Sequence, residues 1–158
     1  MKQIVGVIGL GLIGGSIAKA YKAAGWKVLA YDSNHSITDF AILSGIVDAE
    51  LTTENMKDCN VIHIAITPKA AIEYLKQNAE QMPKDGLVID DCGTKREIAR
   101  IGFELAEKHG FTFVGGHPMA GSHLSGFKNS KSTMFHNASM IIVPPEFDDI
   151  NLYDKIKQ

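Results

Sequence analysis

The stretch QIVGVIGLGLIG (residues 3–14) decides the fold of this chain. Its first half is a β-branched apolar run, typical of a buried strand, and its second half has the spacing G-x-G-x-x-G. In this pattern the first glycine allows a tight turn, the second lets a pyrophosphate approach the backbone, and the third lets helix and strand pack closely. Because residues 12–25 have helical spacing, the phosphates of a dinucleotide would meet the free N–H groups of a helix N-terminus. The residues predicted at this site are Gly9, Gly11, Leu12, Ile13 and Gly14.

Strand and helix patterns alternate along the rest of the chain. The predicted strands are 3–9, 27–32, 60–68, 86–91, 111–116 and 138–145, and the predicted helices are 12–25, 36–45, 69–82 and 94–110. Strands that alternate with helices of this length predict βαβ units. Right-handed crossovers then give the α/β class: a doubly wound, Rossmann-type, mostly parallel sheet with helices on both faces.

The last part of the chain is less regular. A long loop rich in glycine, serine, asparagine and lysine is predicted over 117–137. The tail DDINLYDKIKQ predicts the beginning of a helix, which Asp148 or Asp149 would cap. We therefore expect a nucleotide-binding domain over 1–146 and, over 147–158, the start of a linker helix that leads to a further domain.

Composition excludes several classes of protein. The chain has 158 residues, is 45% hydrophobic and carries a formal net charge of −2, which gives no electrostatic reason to expect nucleic acid or an acidic membrane surface as a partner. No apolar stretch reaches the length of about 18 residues that a membrane span needs. Cys59 and Cys92 lie far apart and match no metal-ligand spacing, so we expect no metal and interpret both as reduced thiols of a cytoplasmic protein.

The second predicted strand ends in an acidic residue, Asp32, about 20 residues after the glycine pattern. A carboxylate at this place accepts hydrogen bonds from both ribose hydroxyls of adenosine and repels a 2′-phosphate. Neither Ser33, which we also place at the site, nor the residues after it bring an arginine. The pattern therefore predicts NAD rather than NADP. The alternative is that Asp32 caps the turn before Asn34.

Two further features follow the central strand pattern 60–68. Thr67 and Pro68 end it at the sheet edge where such folds bind ligands, and Pro68 is expected at the first position of the next helix. Their backbone either lines the nicotinamide ribose or only separates strand from helix, and both interpretations remain open. His63 lies inside the strand, and we interpret it as a hydrogen-bonded core histidine.

The segment GGHPMAG (115–121) directly follows the strand FTFV, which places His117 at the carboxyl edge of the sheet, on the nicotinamide side of the cleft. A histidine with an ordinary pKa of about 6.5 supplies a neutral base near neutral pH. A dehydrogenase needs such a base to take the alcohol proton as hydride leaves. The small neighbours of His117 would leave room for a ring substrate and a nicotinamide. The alternative is a histidine that only hydrogen-bonds loop backbone.

Taken in order, three segments resemble the nucleotide-binding domain of the prephenate dehydrogenase family: GLGLIGGS (9–16), D-x-C-G-x-K (90–95) and GGHPMAGS (115–122). The resemblance implies that prephenate or arogenate is the substrate and that NAD accepts hydride from the carbon bearing the ring hydroxyl. His117 would take the hydroxyl proton, and loss of CO2 would give 4-hydroxyphenylpyruvate, on the way to tyrosine. It also implies a C-terminal helical domain that forms a homodimer and supplies the arginine for a substrate carboxylate.

The same resemblance assigns roles at the remaining segments. Asp90 and Gly93 would belong to the cofactor site. Many family members have a serine in D-x-G-S-x-K that shares the substrate hydroxyl with the histidine. Aligning on Lys95 puts Gly93 at that place, whereas shifting by one puts Thr94 there, and Thr94 could instead be a helix N-cap. We interpret Cys92 as packing. The candidate substrate contacts after the histidine are Ser122 and His123, the second of which could instead face water.

Two other functions remain compatible with the sequence. The chain could be the cofactor domain of a β-hydroxyacid-type dehydrogenase, which relies on a lysine from a helical domain. It could also be a module that binds NAD as a redox sensor without catalysis, although this function assigns no role to the GGHPMAG segment.

Overall fold

The computed structural model describes residues 2–157 and contains a seven-stranded sheet covered by helices on both faces. The strands are β1 (Ile4–Ile8), β2 (Lys27–Tyr31), β3 (Ala49–Glu50), β4 (Val61–Ile64), β5 (Leu87–Asp90), β6 (Thr112–Pro118) and β7 (Met140–Val143). The helices are α1 (Leu12–Ala23), α2 (His35–Leu43), α3 (Pro68–Asn78), α4 (Arg96–His109) and α5 (Ile150–Lys157). Within residues 2–157 no helix is long and apolar enough to span a membrane. The predicted doubly wound α/β fold is confirmed.

The strand order is β3-β2-β1-β4-β5-β6-β7. All neighbouring strands are parallel except β7, which is antiparallel to β6. The chain moves outward from β1 to β3 on one side, then returns to β4 and continues on the other side. The carboxyl ends of β1 and β4 therefore flank the point where the strand order reverses, which is where open α/β sheets bind ligands.

Each face of the sheet buries its own apolar cluster. Val5 and Val7 of β1 pack on the face of α1 and α2, while Ile62 and Ile64 of β4 pack on the face of α3 and α4. These strands are nearly continuous Val/Ile runs because both of their faces are covered.

Helix α5 packs on the sheet as well. Leu152 is buried against Leu87, Ile89 and Val114. Asp149 Oδ1 accepts the backbone N–H of Leu152 at 3.1 Å, so Asp149 is the cap among the two candidates, Asp148 and Asp149. The division of the chain at residues 146 and 147 stays a prediction.

Several predicted boundaries differ from the structure. Strand β6 continues to Pro118, past the predicted end at residue 116, because β7 pairs with it and places His117 opposite Ile141. The sequence prediction therefore places the start of the 117–137 loop two residues too early. Helix α4 begins at Arg96 with Lys95 as its N-cap residue, so Thr94 is not the cap. The two-residue strand β3 was not predicted, because its pairing with β2 is all that defines it.

The loop after β6 is docked on α1. Phe127 is buried, and Lys19 Nζ donates to the Ser130 carbonyl at 2.8 Å and lies 4.8 Å from the centre of the Phe127 ring. A Cβ at Gly15 would lie 2.7 Å from the Phe127 ring and from Ser130 Oγ. The absence of a side chain at Gly15 therefore lets this loop lie directly on the helix.

Candidate active site

The turn between β1 and α1 has the geometry that the glycine pattern predicts. Gly9 has φ of +92°, a left-handed conformation that favours glycine. A Cβ on Gly14 would lie 1.7 Å from the Gly9 carbonyl oxygen, so only glycine lets α1 pack on the turn. A Cβ on Gly11 would meet no heavy atom within 4 Å, and no side chain caps the helix N-terminus. Leu12 and Ile13 form the first turn of α1. The open space at Gly11 and the uncapped N–H groups fit a pyrophosphate.

Asp32 lies beside this turn, at the carboxyl end of β2. Its Oδ2 accepts the Leu10 N–H at 2.8 Å, and its Oδ1 accepts the Asn34 N–H at 2.9 Å. The turn bond that was the alternative interpretation is thus present, and it fixes the carboxylate without using all of its acceptor capacity. Asp32 lines a cleft of about 250 Å³. The cleft is also lined by Gly9, Tyr31, Ser33, Ile66, Ala70 and Tyr74.

Thr67 and Pro68 lie at the same sheet edge. Pro68 is the first residue of α3, as predicted, and Thr67 is the N-cap residue without a capping hydrogen bond from its side chain. Both residues are exposed. Contact between this backbone and a nicotinamide ribose stays a prediction.

Asp90 is enclosed by the protein and is not open to a ligand. Its side chain has no exposed surface, forms an ion pair with Lys95, and accepts the Cys92 N–H at 3.3 Å. Burial raises the pKa of Asp90, and the Lys95 ammonium opposes that rise. The Asp90 carboxylate therefore fixes the 90–95 turn from inside, and contact between Asp90 and the cofactor stays a prediction.

Cys92 is a packing residue, as the sequence analysis concluded. It is 4% exposed, and its Sγ lies 3.3 Å from the Ile66 carbonyl oxygen, to which it donates. Burial, followed by the negative charge of Asp90, raises the pKa of the thiol to about 12. A thiol that remains protonated is a poor nucleophile.

The imidazole of His117 faces Gly93. A Cβ on Gly93 would lie 3.7 Å from His117 Nε2 and 3.9 Å from Cε1, and no other atom outside the adjacent residues Cys92 and Thr94 lies within 4 Å of it. Gly93 is exposed, and His117 is half-buried. Of the two candidates for the family's serine position, Gly93 is therefore the residue against the imidazole. Thr94 follows it as an exposed residue before α4.

The glycine pair before His117 has a role that the sequence analysis missed. Gly115 and Gly116 are buried, and a Cβ on Gly116 would lie 2.7 Å from Met140 Cε and 2.8 Å from the Asp90 carbonyl oxygen. A Cβ on Gly115 would lie 3.3 Å from Lys95 Cδ. These glycines make room for neighbouring protein atoms, not for a substrate as predicted.

The remaining candidates lie on the exposed loop after β6. Ser122 Oγ accepts the Leu124 N–H at 2.9 Å, which forms a local turn. His123 is exposed. Contact between either residue and a substrate stays a prediction.

His63 is buried and hydrogen-bonded, which confirms its interpretation as a core histidine. Sequence reasoning missed its partners, Asp91 and Tyr21. The paired acids at 90 and 91, directly after a buried strand, were the available signal. Among the residues described, no group of three or more His, Cys, Asp or Glu side chains could hold a metal ion.

Comparisons with known proteins agree with this architecture. The structure of Synechocystis arogenate dehydrogenase superimposes with a TM-score of 0.86 at 24% identity, covering 98% of this chain and 55% of that one, which shows the fold. The structure of prephenate dehydrogenase from A. aeolicus in complex with hydroxyphenyl propionate and NAD+ has a TM-score of 0.77 at 26% identity, covering 99% of this chain and 56% of that one.

Sequence comparison identifies the family. Prephenate dehydrogenase from Lactococcus lactis subsp. cremoris (strain MG1363) is 38% identical over 146 residues, which is 90% of this chain. This chain spans 41% of that relative's length. The family model for the prephenate dehydrogenase nucleotide-binding domain matches residues 17–158. The chain therefore belongs to the prephenate dehydrogenase family, of which it represents the nucleotide-binding domain.

Proposed function

We propose that this chain is the cofactor domain of an NAD-dependent enzyme that oxidises and decarboxylates prephenate to 4-hydroxyphenylpyruvate. One observation carries the proposal: the Nε2 of His117 faces open space at Gly93, at the same carboxyl edge of the sheet as the glycine turn. Such an oxidation needs a base and a bound dinucleotide close to each other. His117 and the glycine turn lie at the same sheet edge, on either side of the point where the strand order reverses. Family membership supports the choice of substrate.

The residues of the glycine turn fit NAD. The space at Gly11 and the uncapped start of α1 suit the pyrophosphate, and Asp32 suits the adenosine ribose hydroxyls. The carboxylate of Asp32 would repel the 2′-phosphate of NADP. When bound, NAD supplies the acceptor for the hydride.

His117 would hold the ring hydroxyl of the substrate and accept its proton as the C–H bond breaks. The resulting ketone is conjugated through the ring to the carbon that carries the carboxylate. As that carboxylate leaves as CO2, the C–C bonding electrons enter the ring and the ketone oxygen becomes a phenolate. Protonated His117 can then return its proton to this oxygen, which leaves the base ready for another turnover.

The experiment uses the chain together with any coding sequence that continues past Gln158. The purified protein is mixed with NAD or NADP and with prephenate, arogenate or a small β-hydroxyacid, and NADH absorbance and CO2 release are followed. The proposal predicts equal amounts of NADH and CO2 from prephenate with NAD. If the protein oxidises arogenate but not prephenate, the substrate in the proposal is wrong. If it forms NADH without CO2 from a β-hydroxyacid, the chain belongs to a β-hydroxyacid-type dehydrogenase. NAD binding without any turnover would support the sensor function.

Two further parts of the proposal concern the whole protein. We infer a homodimer formed through a helical domain, and size-exclusion chromatography with light scattering on the same protein tests it. A cytoplasmic location is supported by the two free, buried thiols, Cys59 and Cys92.

A further inference from the structure

Three polar side chains form a hydrogen-bonded chain on the α1 face of the sheet. His63 lies on β4, with Val7 and Ile89 as its neighbours on the adjacent strands. Its Nδ1 is 2.9 Å from Asp91 Oδ2, and its Nε2 is 3.2 Å from the Tyr21 hydroxyl. The side chains of His63 and Asp91 are 9% and 1% exposed. Tyr21, His63 and Asp91 are called the buried network below.

The surroundings of Tyr21 affect the protonation of its hydroxyl. Burial, followed by the negative charge of Asp91, raises the pKa of Tyr21 to about 12, so the hydroxyl remains protonated near neutral pH. When this hydroxyl donates to Nε2 of His63, the ring hydrogen lies on Nδ1 and donates to Asp91. In this arrangement the Asp91 carboxylate is the terminal acceptor of the buried network.

Core packing alone does not account for the buried network. Asp91 Oδ1 is buried and has no hydrogen-bond partner among residues 2–157. A buried acceptor without a partner destabilises a fold, and apolar side chains of similar size would avoid that penalty. A cavity of about 190 Å³ lies beside the network and is lined by His63, Asp91 and Pro118, the residue after His117.

The buried network connects two parts of the candidate active site. Tyr21 lies on α1, the helix that starts at the glycine turn. Asp91 is the first residue after β5, and its N–H donates to the Ile64 carbonyl at 2.9 Å. Two residues later, Gly93 lies against the imidazole of His117. Any movement of Asp91 would therefore be passed to the turn that borders Nε2 of His117.

We propose that the buried network positions the turn 91–93 against His117 and so keeps the space in front of its Nε2 open to substrate. This inference rests on the proposed function, in which His117 is the base. Tyr21, His63 and Asp91 are positioning residues that act through Gly93.

Two isosteric variants test the proposal. Asp91→Asn removes the terminal negative charge, and Tyr21→Phe removes only the hydroxyl. Asp48→Asn is the matched control, because it removes the negative charge from the ion pair between Asp48 and Lys22 (2.7 Å), and neither residue belongs to the buried network. The measurements are thermal unfolding, NAD titration and ¹⁵N shifts of the His117 ring in this chain, and steady-state kinetics in the full-length protein.

We expect both network variants to lower kcat for the proposed oxidation by about 10-fold. The NAD affinity should stay within about twofold, because the glycine turn is unchanged, and the ring ¹⁵N signals of His117 should move. Asp48→Asn should change only the unfolding temperature. The proposal is wrong if Asp91→Asn and Tyr21→Phe lower the unfolding temperature but leave kcat and the His117 signals as in the wild type.

The readouts also separate this proposal from the proposed function. If the wild-type full-length protein oxidises neither prephenate nor arogenate, the proposed function has failed, and the His117 ring signals of the variants still decide whether the network positions this residue. If Asp91→Asn does not fold, Tyr21→Phe decides the question by the same signals, because a phenylalanine fills nearly the same volume.

Discussion

Gly93→Ala separates the chemistry of the candidate site from the stability of the fold. The added Cβ would lie 3.7 Å from His117 Nε2 and 3.9 Å from Cε1, which are ordinary van der Waals distances. Gly93 is exposed and does not have a left-handed φ, so the backbone tolerates alanine. We expect the free energy of unfolding to change by no more than about 0.5 kcal/mol, as for other exposed sites. For a domain of this size, that corresponds to a shift in unfolding temperature of at most about 2 °C.

The effect on turnover should be much larger. A substrate hydroxyl must come within about 2.6–3.2 Å of Nε2 to give up its proton. The methyl group occupies part of this approach, and a displacement of about 1 Å costs about 100-fold in rate. We therefore expect kcat/KM for prephenate to fall about 100-fold in the full-length protein, with NAD affinity unchanged.

The assay compares NADH formation at saturating NAD with thermal unfolding of the same samples. Gly93→Ser carries the same Cβ but adds a hydroxyl that can hydrogen-bond the substrate beside His117, so it should lose less activity than Gly93→Ala. Glu104→Ala is the control, because the Glu104 side chain is 64% exposed on α4 and its ion pair with Arg100 lies at the surface. Wild-type kcat/KM in Gly93→Ala would refute the assignment of this space to the substrate.

Three other predictions follow from the structure. Gly11→Ala should lower NAD affinity by at least about 10-fold without changing the unfolding temperature, because the added Cβ enters the open space where the pyrophosphate approaches. Titration followed by NADH fluorescence measures this affinity, and an unchanged affinity would contradict the prediction. In Gly15→Ala, contact between the added Cβ and Phe127 should cost about 1–3 kcal/mol of stability, and the better helix propensity of alanine should offset about 1 kcal/mol of this. An unfolding temperature above that of the wild type would be inconsistent with the docked loop. Cys59 and Cys92 should resist alkylation by iodoacetamide at pH 8 in the native protein and react after unfolding, because burial raises the pKa of each thiol to about 12. Mass spectrometry measures the labelling, and rapid labelling of the native protein would contradict the prediction.

The features that the sequence predicted correctly depend on neighbours along the chain. The roles of Gly9 and Gly14 follow from one turn and the helix directly after it, so the pattern contains all the needed information. Pro68 at the start of α3 and Asp149 at the cap of α5 are equally local. The doubly wound, mostly parallel class also follows from the alternation of strands and helices, because right-handed crossovers restrict the topologies that such a chain can adopt.

The features that the sequence missed depend on contacts between distant segments. The end of β6 at Pro118 requires pairing with β7, and the tight space at Gly116 is created by Met140. Asp91 and His63 are 28 residues apart, so neither position alone predicts their hydrogen bond. Burial of Asp90 is also a tertiary effect, because an acid at the end of a strand can point toward either the ligand or Lys95.

The most direct test of the account replaces the proposed base itself. In the full-length protein, His117→Asn keeps a polar side chain of limited size but removes the imidazole that accepts the proton. The account predicts that kcat for prephenate falls by about 100-fold or more while the dissociation constant for NAD stays within about twofold. A variant that oxidises prephenate at the wild-type rate, or that loses NAD binding and turnover together, would contradict the central claim.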